Sequence, residues 1–200
     1  YIQSCPDDLF QGISTLVFSG DAVSVNAVSK ALDTNIPNII NLYGPAETSV
    51  YATALICKPH HAEQQRIPIG KVCDNTCVYL VDKKGRLVPK GVTGEILIGG
   101  SGLAHGYLGE PQLTMSRFMV TDIAELNVRG VRVYKTGDHA YWGQDGYLYF
   151  ASRKDEEIKY KEHHFNLSDI QVAMERIEGI TSAVATLLPQ ENRKVLAGYY

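Results

Sequence analysis

The chain has 200 residues, of which 44% are hydrophobic and 20% charged, with a formal net charge of −3; this is ordinary for a globular protein able to bury a sizeable core. The weak negative charge argues against nucleic acid or an anionic membrane surface as a partner. No apolar run approaches the roughly 20 residues that cross a bilayer.

The opening residues, Tyr1-Ile2-Gln3-Ser4-Cys5-Pro6, carry no initiator Met and no signal-peptide pattern. The end, Val195 to Tyr200, is apolar and strand-like, so both ends read as cuts inside a longer protein. Thr15-Leu16-Val17-Phe18-Ser19-Gly20 reads as a strand ending at a glycine. Residues 21–32 follow as a helix with Val25, Val28 and Leu32 on one face, and 38–43 as the next strand. Strand, helix, strand is the pattern of a parallel α/β sheet. Asn41-Leu42-Tyr43-Gly44-Pro45-Ala46-Glu47-Thr48 then breaks sharply at Gly44-Pro45. It places an aromatic ring and a carboxylate at the C-terminal end of a strand, where open α/β sheets bind ligands. The same residues also suit a tight turn with Tyr43 as packing and Glu47 solvated.

Residues 49–57 alternate weakly, as in another strand, and His60-His61 reads as part of a solvated polar loop. From Pro68 to Phe150 short apolar runs, including residues 76–81, recur between glycine-containing turns, the texture of antiparallel strands in a small barrel-like sheet. Residues 110–118 read as a short helix entered through Pro111. The four cysteines, Cys5, Cys57, Cys73 and Cys77, have no disulfide-framework spacing. No Cys or His pair stands near Cys73 and Cys77 to complete a zinc site, so free thiols in a reducing cytoplasm are expected. A boundary falls near residues 153–155, followed by a charged stretch to His164. A helix then starts with Ser168 as N-cap, carries Ile170, Met174 and Ile177 on one face and stops at Gly179. Residues 181–188 and 194–200 read as strands.

Four stretches in order carry a family resemblance: the octet from Asn41; Gly94-Glu95-Ile96-Leu97-Ile98-Gly99-Gly100-Ser101-Gly102-Leu103-Ala104-His105-Gly106-Tyr107-Leu108; Tyr134-Lys135-Thr136-Gly137-Asp138; and Ser152-Arg153-Lys154-Asp155. Together they resemble the signatures of the adenylate-forming, AMP-binding superfamily, in the form used by nonribosomal peptide synthetase adenylation domains. The resemblance implies an α/β fold. Residues 1–152 would be the C-terminal part of the large adenylation domain, a parallel-sheet segment plus the small barrel-like sheet. Residues 153–200 would be the hinge and the start of a small α+β domain.

It also implies an ATP-dependent, cytoplasmic ligase that activates an amino acid or another small carboxylic acid as acyl-AMP. The acyl group would pass to the phosphopantetheine thiol of a carrier-protein domain. Ser19, Gly20 and Asp21 would lie against adenine, Tyr43 would stack on it and Asn41 would bond its amino edge. Gly44 and Ala46 would border the phosphates, and Glu47 would hold Mg²⁺. Asp138 would accept from the ribose hydroxyls, as an ionised carboxylate can. Arg153 would reach ribose or phosphate as a fixed cation. Asp155 would be the hinge. Val17, Ser19, Leu42, Val50 and Tyr51 would line a small, mostly apolar pocket for the acid's side chain; the alternative is that they are plain core, which applies most to Val17 and Val50. Thr136-Gly137-Asp138 also suits an ordinary turn after a strand.

The pattern breaks at four places. Ala46 replaces a Thr whose hydroxyl would hold phosphate, His105 replaces an Arg, and Ser152 replaces a Gly. Glu162 stands at a glycine in the loop that serves thioester formation, so that step is expected to suffer more than adenylation. The family's phosphate loop and the Asp that binds an amino acid's ammonium would lie upstream of Tyr1, and the catalytic Lys downstream of Tyr200. The isolated chain is therefore expected to be inactive alone. An acyl-CoA or aryl-acid ligase and a degenerate, non-catalytic megasynthase domain are the rival readings.

Overall fold

The computed structural model describes residues 10–153, 157–160, 163–177, 179–180, 183–190 and 193–200. The chain divides into two compact units, Tyr1–Ala151 and Ser152–Tyr200. The first begins with β1 (Thr15–Phe18), α1 (Val25–Leu32) and β2 (Asn38–Tyr43). Leu16 and Phe18 point to the α1 side, while Val17 between them is 44% exposed on the other face, as strand alternation requires. The helix starts four residues later than the sequence suggests. Ser24 holds extended backbone and its hydroxyl accepts from the Ala27 N–H at 3.1 Å, so it takes the N-cap and the turn before it stays non-helical. Val28 and Ala31 pack with Ile36, Ile39, Leu55 and Ile67, bordered by Val25 and Leu32. Burying each larger aliphatic side chain contributes about 1.5–3 kcal/mol.

β1 and β2 are parallel, with Phe18 opposite Asn41. The loop at residues 19–21 therefore leaves the sheet beside Leu42 and Tyr43. Parallel pairing stops there: β3 (Thr53–Ile56) runs antiparallel to β2, with Tyr43 opposite Thr53. The expected strand over 49–57 is shortened because residues 46–48 form a 3-10 turn and Ser49 and Val50 are left-handed, at φ 61° and 72°. No ladder can form through such backbone.

The solvated loop expected around His60-His61 is replaced by a single helical turn, α2 (Pro59–Ala62). His61 is 1% exposed. Its Nδ1 accepts from the Lys58 N–H at 3.0 Å, and its ring meets Tyr147 edge-on at 5.5 Å. A helix start leaves backbone N–H groups without partners, and here the imidazole supplies one from inside the protein. β4 (Lys71–Val72) completes the mixed sheet, ordered β1-β2-β3-β4.

The second sheet contains β5 (Thr76–Val81) and β6 (Gly94–Gly100), then, after α3 (Pro111–Arg117), β7 (Phe118–Ile123), the fifteen-residue β8 (Val128–Trp142) and β9 (Leu148–Arg153). Its order is β5-β6-β8-β7, with β9 also on β8, and the first three pairings are antiparallel. One face packs Leu80, Ile96, Ile98, Ala140 and Leu148 against Ala52 and Ile69 of the first sheet's segment, with Tyr43 and Phe150 at the margin. The other face gathers Tyr79, Val81, Leu97, Ile123 and Val133. The two sheets are tied by backbone bonds from Ile69 N–H to Leu148 O at 2.8 Å and from Leu148 N–H to Gly70 O at 2.9 Å.

In the second unit β10 (Glu157–Tyr160) and β11 (His163–Asn166) pair antiparallel, where the sequence shows only a charged stretch. α4 (Leu167–Glu175) starts directly after β11, so Ser168 lies inside its first turn rather than at the N-cap, and Ile177 falls beyond its end, 58% exposed. β12 (Val184–Gln190) and β13 (Arg193–Tyr199) form an antiparallel pair. α4 is tied to the segment leading into β12 by Gln171, whose Nε2 donates to Ala183 O at 3.4 Å.

Candidate active site

The turn after β2 is built on a close backbone approach. Ala52 N–H donates to Tyr43 O at 2.8 Å, and a Cβ on Gly44 would lie 2.6 Å from Ala52 N and run into Val50 O. Only glycine fits there. Pro45 O accepts from the N–H groups of Thr48 and Val50, at 3.0 and 3.2 Å. This winds residues 46–48 into a short turn that turns Glu47 toward the loop between β6 and α3. That loop is stitched to it: Glu47 O accepts from Ala104 N–H at 2.9 Å, and Ser49 Oγ donates to Gly102 O at 2.8 Å. From β8, the Arg132 guanidinium donates to Ala104 O at 2.8 Å and His105 O at 2.9 Å while lying 4.9 Å from the Phe118 ring centre, a cation–π contact.

The Tyr107 hydroxyl donates to Glu47 Oε1 at 2.6 Å and lies 3.2 Å from the Tyr134 hydroxyl. The Phe118 ring packs against both tyrosine rings, with centroids at 5.7 and 5.0 Å. Burial acts to raise the Glu47 carboxyl, but hydrogen bonding by Tyr107, its own backbone and Tyr134, together with the Arg117 charge, holds it below its ordinary value. Burial pushes the Tyr134 hydroxyl far up, reinforced by its bonds to Tyr107 and Glu47. The Tyr107 hydroxyl moves the same way, through burial and then Glu47. At neutral pH the pair are therefore donors facing an anionic acceptor.

Asp138 comes from a bulge, not from a turn after a strand. Glu95 pairs with His139 and Leu97 with Lys135, so Ile96 alone faces Thr136, Gly137 and Asp138. The Thr136 hydroxyl donates to Ile96 O and accepts from Asp138 N–H, both at 2.9 Å. Gly137 supplies the left-handed backbone, φ 79°. Bulges re-aim side chains, and this one carries Asp138, 8% exposed, to β2, where the Tyr43 hydroxyl donates to its Oδ2 at 2.8 Å.

Asn41 is 3% exposed and its Nδ2 donates to Pro68 O at 2.9 Å, a tie between β2 and the segment before β4. Ser19, Gly20 and Asp21 form an exposed loop in which Ala22 N–H donates to Asp21 Oδ1 at 2.7 Å. Ala46 is exposed and Leu42 half-buried. Val17, Val50 and Tyr51 are exposed by 44–45%, which rules out the plain-core reading of Val17 and Val50. Arg153 is exposed at the end of β9, within the second unit. Asp155 and Glu162 lie outside the described residues.

Thus Tyr43 meets Asp138, and Glu47 meets two tyrosines not singled out from the sequence. Tyr107 and Tyr134 stand in the quoted stretches, but separations of 60 and 27 residues hide their meeting. No group of three or more His, Cys, Asp or Glu suited to a metal occurs among the described residues. One carboxylate still fits Mg²⁺, which is commonly held by one or two carboxylates with substrate phosphates and water. The described cysteines, Cys57, Cys73 and Cys77, are free thiols, and burial pushes the Cys57 thiol up to about 11.

A family model described as AMP-binding enzyme matches residues 3–108. The chain is 35% identical over 194 residues to bacitracin synthase 1 of Bacillus licheniformis, covering 96% of this chain and 4% of that protein. It is 32% identical over 197 residues to gramicidin S synthase 2 of Brevibacillus brevis, covering 97% and 4%. Among solved structures it resembles an NRPS protein containing adenylation and PCP domains, with TM-score 0.72, 28% identity, and coverage of 98% of this chain and 39% of that one. It also resembles a holo four-domain nonribosomal peptide synthetase bound to AMP and glycine, with TM-score 0.76, 31% identity, and coverage of 96% and 14%. The chain thus spans only a small part of the relatives it matches.

Proposed function

The chain belongs to the AMP-binding enzyme family, and from that premise we propose that it is part of an adenylation domain activating an amino acid with ATP for transfer to a carrier-protein thiol. The observation that carries the reading is the 2.8 Å bond from the Tyr43 hydroxyl to Asp138. It joins an aromatic face at the end of a parallel strand to a carboxylate on a bulge, the two groups a nucleoside needs for its base and its sugar. The structural relative bound to AMP and glycine supports both the nucleotide and the amino acid.

In the proposed reaction a carboxylate oxygen of the acid attacks the α-phosphorus of ATP. The new P–O bond forms as the bond to the bridging oxygen breaks, and pyrophosphate leaves with that electron pair. No proton transfer is required, so positioning and charge neutralisation are the protein's task. Tyr43 stacks on adenine, while Asn41, its Nδ2 committed to Pro68 O, turns its Oδ1 to the base's amino group. Ser19, Gly20 and Asp21 border the base, and Gly44 and Ala46 the phosphates. Asp138 accepts from the ribose hydroxyls, as an ionised carboxylate can, and Arg153 offers a fixed cation to ribose or phosphate. Glu47 holds Mg²⁺, which when bound offsets phosphate charge. Val17, Leu42, Val50 and Tyr51, together with Ser19, line the acid's side-chain pocket; the exposure of all but the half-buried Leu42 leaves them available to a ligand. Asp155 serves as the hinge, between a core unit ending near Ser152 and a small subdomain after it. Phosphopantetheine on a carrier domain accepts the acyl group.

The test is acid-dependent ATP–pyrophosphate exchange by the full-length protein across a panel of amino acids and simple carboxylic acids. Exchange with one amino acid is expected. Exchange only with a non-amino acid would make the protein an acyl or aryl ligase. A folded protein that neither exchanges nor binds ATP would be a non-catalytic domain.

A further inference from the structure

We propose that Tyr107, backed by Tyr134, is a positioning residue that sets the metal-binding geometry of Glu47; the inference rests on the reading of Glu47 as the Mg²⁺ ligand. The Glu47 side chain sits on a three-residue turn, and a short turn alone leaves a carboxylate several rotamers. Here its oxygen Oε1 accepts a charge-assisted hydrogen bond of 2.6 Å from Tyr107, short enough to fix the carboxylate plane. Tyr107 is itself held at both ends. Its backbone N–H donates to Thr114 Oγ1 at 2.9 Å, from α3. Its hydroxyl lies 3.2 Å from that of Tyr134, which is 6% exposed. The Phe118 ring packs against both tyrosine rings and is covered by the Arg132 guanidinium.

Two separate elements, the β6–α3 loop and β8, thus meet at one carboxylate, with Phe118 of β7 packed on both of their tyrosine rings. The backbone bond from Ala104 N–H to Glu47 O fixes the main chain of Glu47, and the Tyr107 hydroxyl fixes its head. Such outer partners of metal ligands orient the ligand and set its basicity, and their loss costs about 10–100-fold in metal affinity or activity.

The arrangement also orders the two phenols. Tyr107 spends its proton on Glu47, so the Tyr134 hydroxyl donates to Tyr107 or reaches Glu47 itself. Removing Tyr134's hydroxyl therefore loosens the network, whereas removing Tyr107's takes away the short bond. Neither residue is asked to touch substrate, and neither changes protonation in this role.

The experiment compares the full-length protein with Tyr107→Phe and Tyr134→Phe, variants that keep the rings packed on Phe118. Two quantities are read: Mn²⁺ binding in the presence of ATP, by electron paramagnetic resonance, and the Mg²⁺ concentration giving half-maximal pyrophosphate exchange. Tyr107→Phe is expected to weaken Mn²⁺ binding and raise the Mg²⁺ requirement by about tenfold or more, with a smaller shift for Tyr134→Phe and unfolding midpoints near that of the parent. Unchanged metal dependence in a folded Tyr107→Phe protein would overturn the proposal, as would lost exchange at saturating Mg²⁺ with unaltered Mn²⁺ binding, the mark of a structural role. Failure of the underlying reading looks different: Glu47→Gln would then leave Mn²⁺ binding of the ATP complex intact.

Discussion

Val50 has a β-branched side chain at φ 72°, a conformation that costs roughly 1–2 kcal/mol for an L-residue and is rare for its type. At 45% exposed it has little burial to compensate. Strain of this kind collects at functional sites, and it is consistent with Val50 lining the proposed side-chain pocket. Val50→Asn should raise stability by about 1 kcal/mol, because Asn tolerates left-handed backbone, and should alter the ranking of acids in pyrophosphate exchange. Thermal unfolding and an exchange panel on the same protein check both halves. The residue types at Tyr43, Glu47 and Asp138 were legible in the sequence. What each touches was not, because the Tyr43–Asp138 bond spans 95 positions and depends on a bulge that no periodicity announces. Val17 and Val50 could not be told from plain core in the sequence, because apolar residues read as core wherever a strand is expected; in the structure one faces away from α1 and the other sits in a turn.

Among the described side chains, His61 links the stability of α2 to pH near neutrality. Burial, then the neighbouring His60, holds the His61 imidazole below its ordinary value, with Asp145 acting the other way and Lys58 adding to the depression. The neutral ring is the form the fold prefers, since its Nδ1 must accept from Lys58 N–H. A histidine with a depressed folded-state value contributes fully above its unfolded value of about 6.5; the contribution is lost as pH falls through the folded value. The unfolding midpoint should therefore fall between pH 7 and pH 5.5, and His61→Asn, which keeps an acceptor without the titration, should flatten that limb. A pH series of melting curves for both proteins decides it. Two histidines beside lysine and glutamine read as solvent-exposed because sequence alone weighs polarity. It cannot see that Pro59 starts a helical turn whose open N–H needs an acceptor from within. Hydrophobic patterning made β1, α1, β2 and β5 legible, whereas β10 and β11 were hidden by charge.

At the scale of the whole molecule, the division at Ala151 and Ser152 separates the residues proposed to bind nucleotide, Arg153 apart, from the stretch proposed to serve thioester formation. That separation predicts that the two half-reactions respond independently to mutation. Glu162→Gly should raise carrier loading several-fold while leaving pyrophosphate exchange unchanged, and parallel assays of exchange and of acyl-carrier formation measure both. Equal loading by the two proteins would refute it. Within the first unit, Arg132 has a consequence of a different sort. It grips the loop through the carbonyls of Ala104 and His105, groups that every amino acid carries, while the His105 side chain is exposed. Position 105 can therefore drift during evolution without altering the path of the chain toward Tyr107.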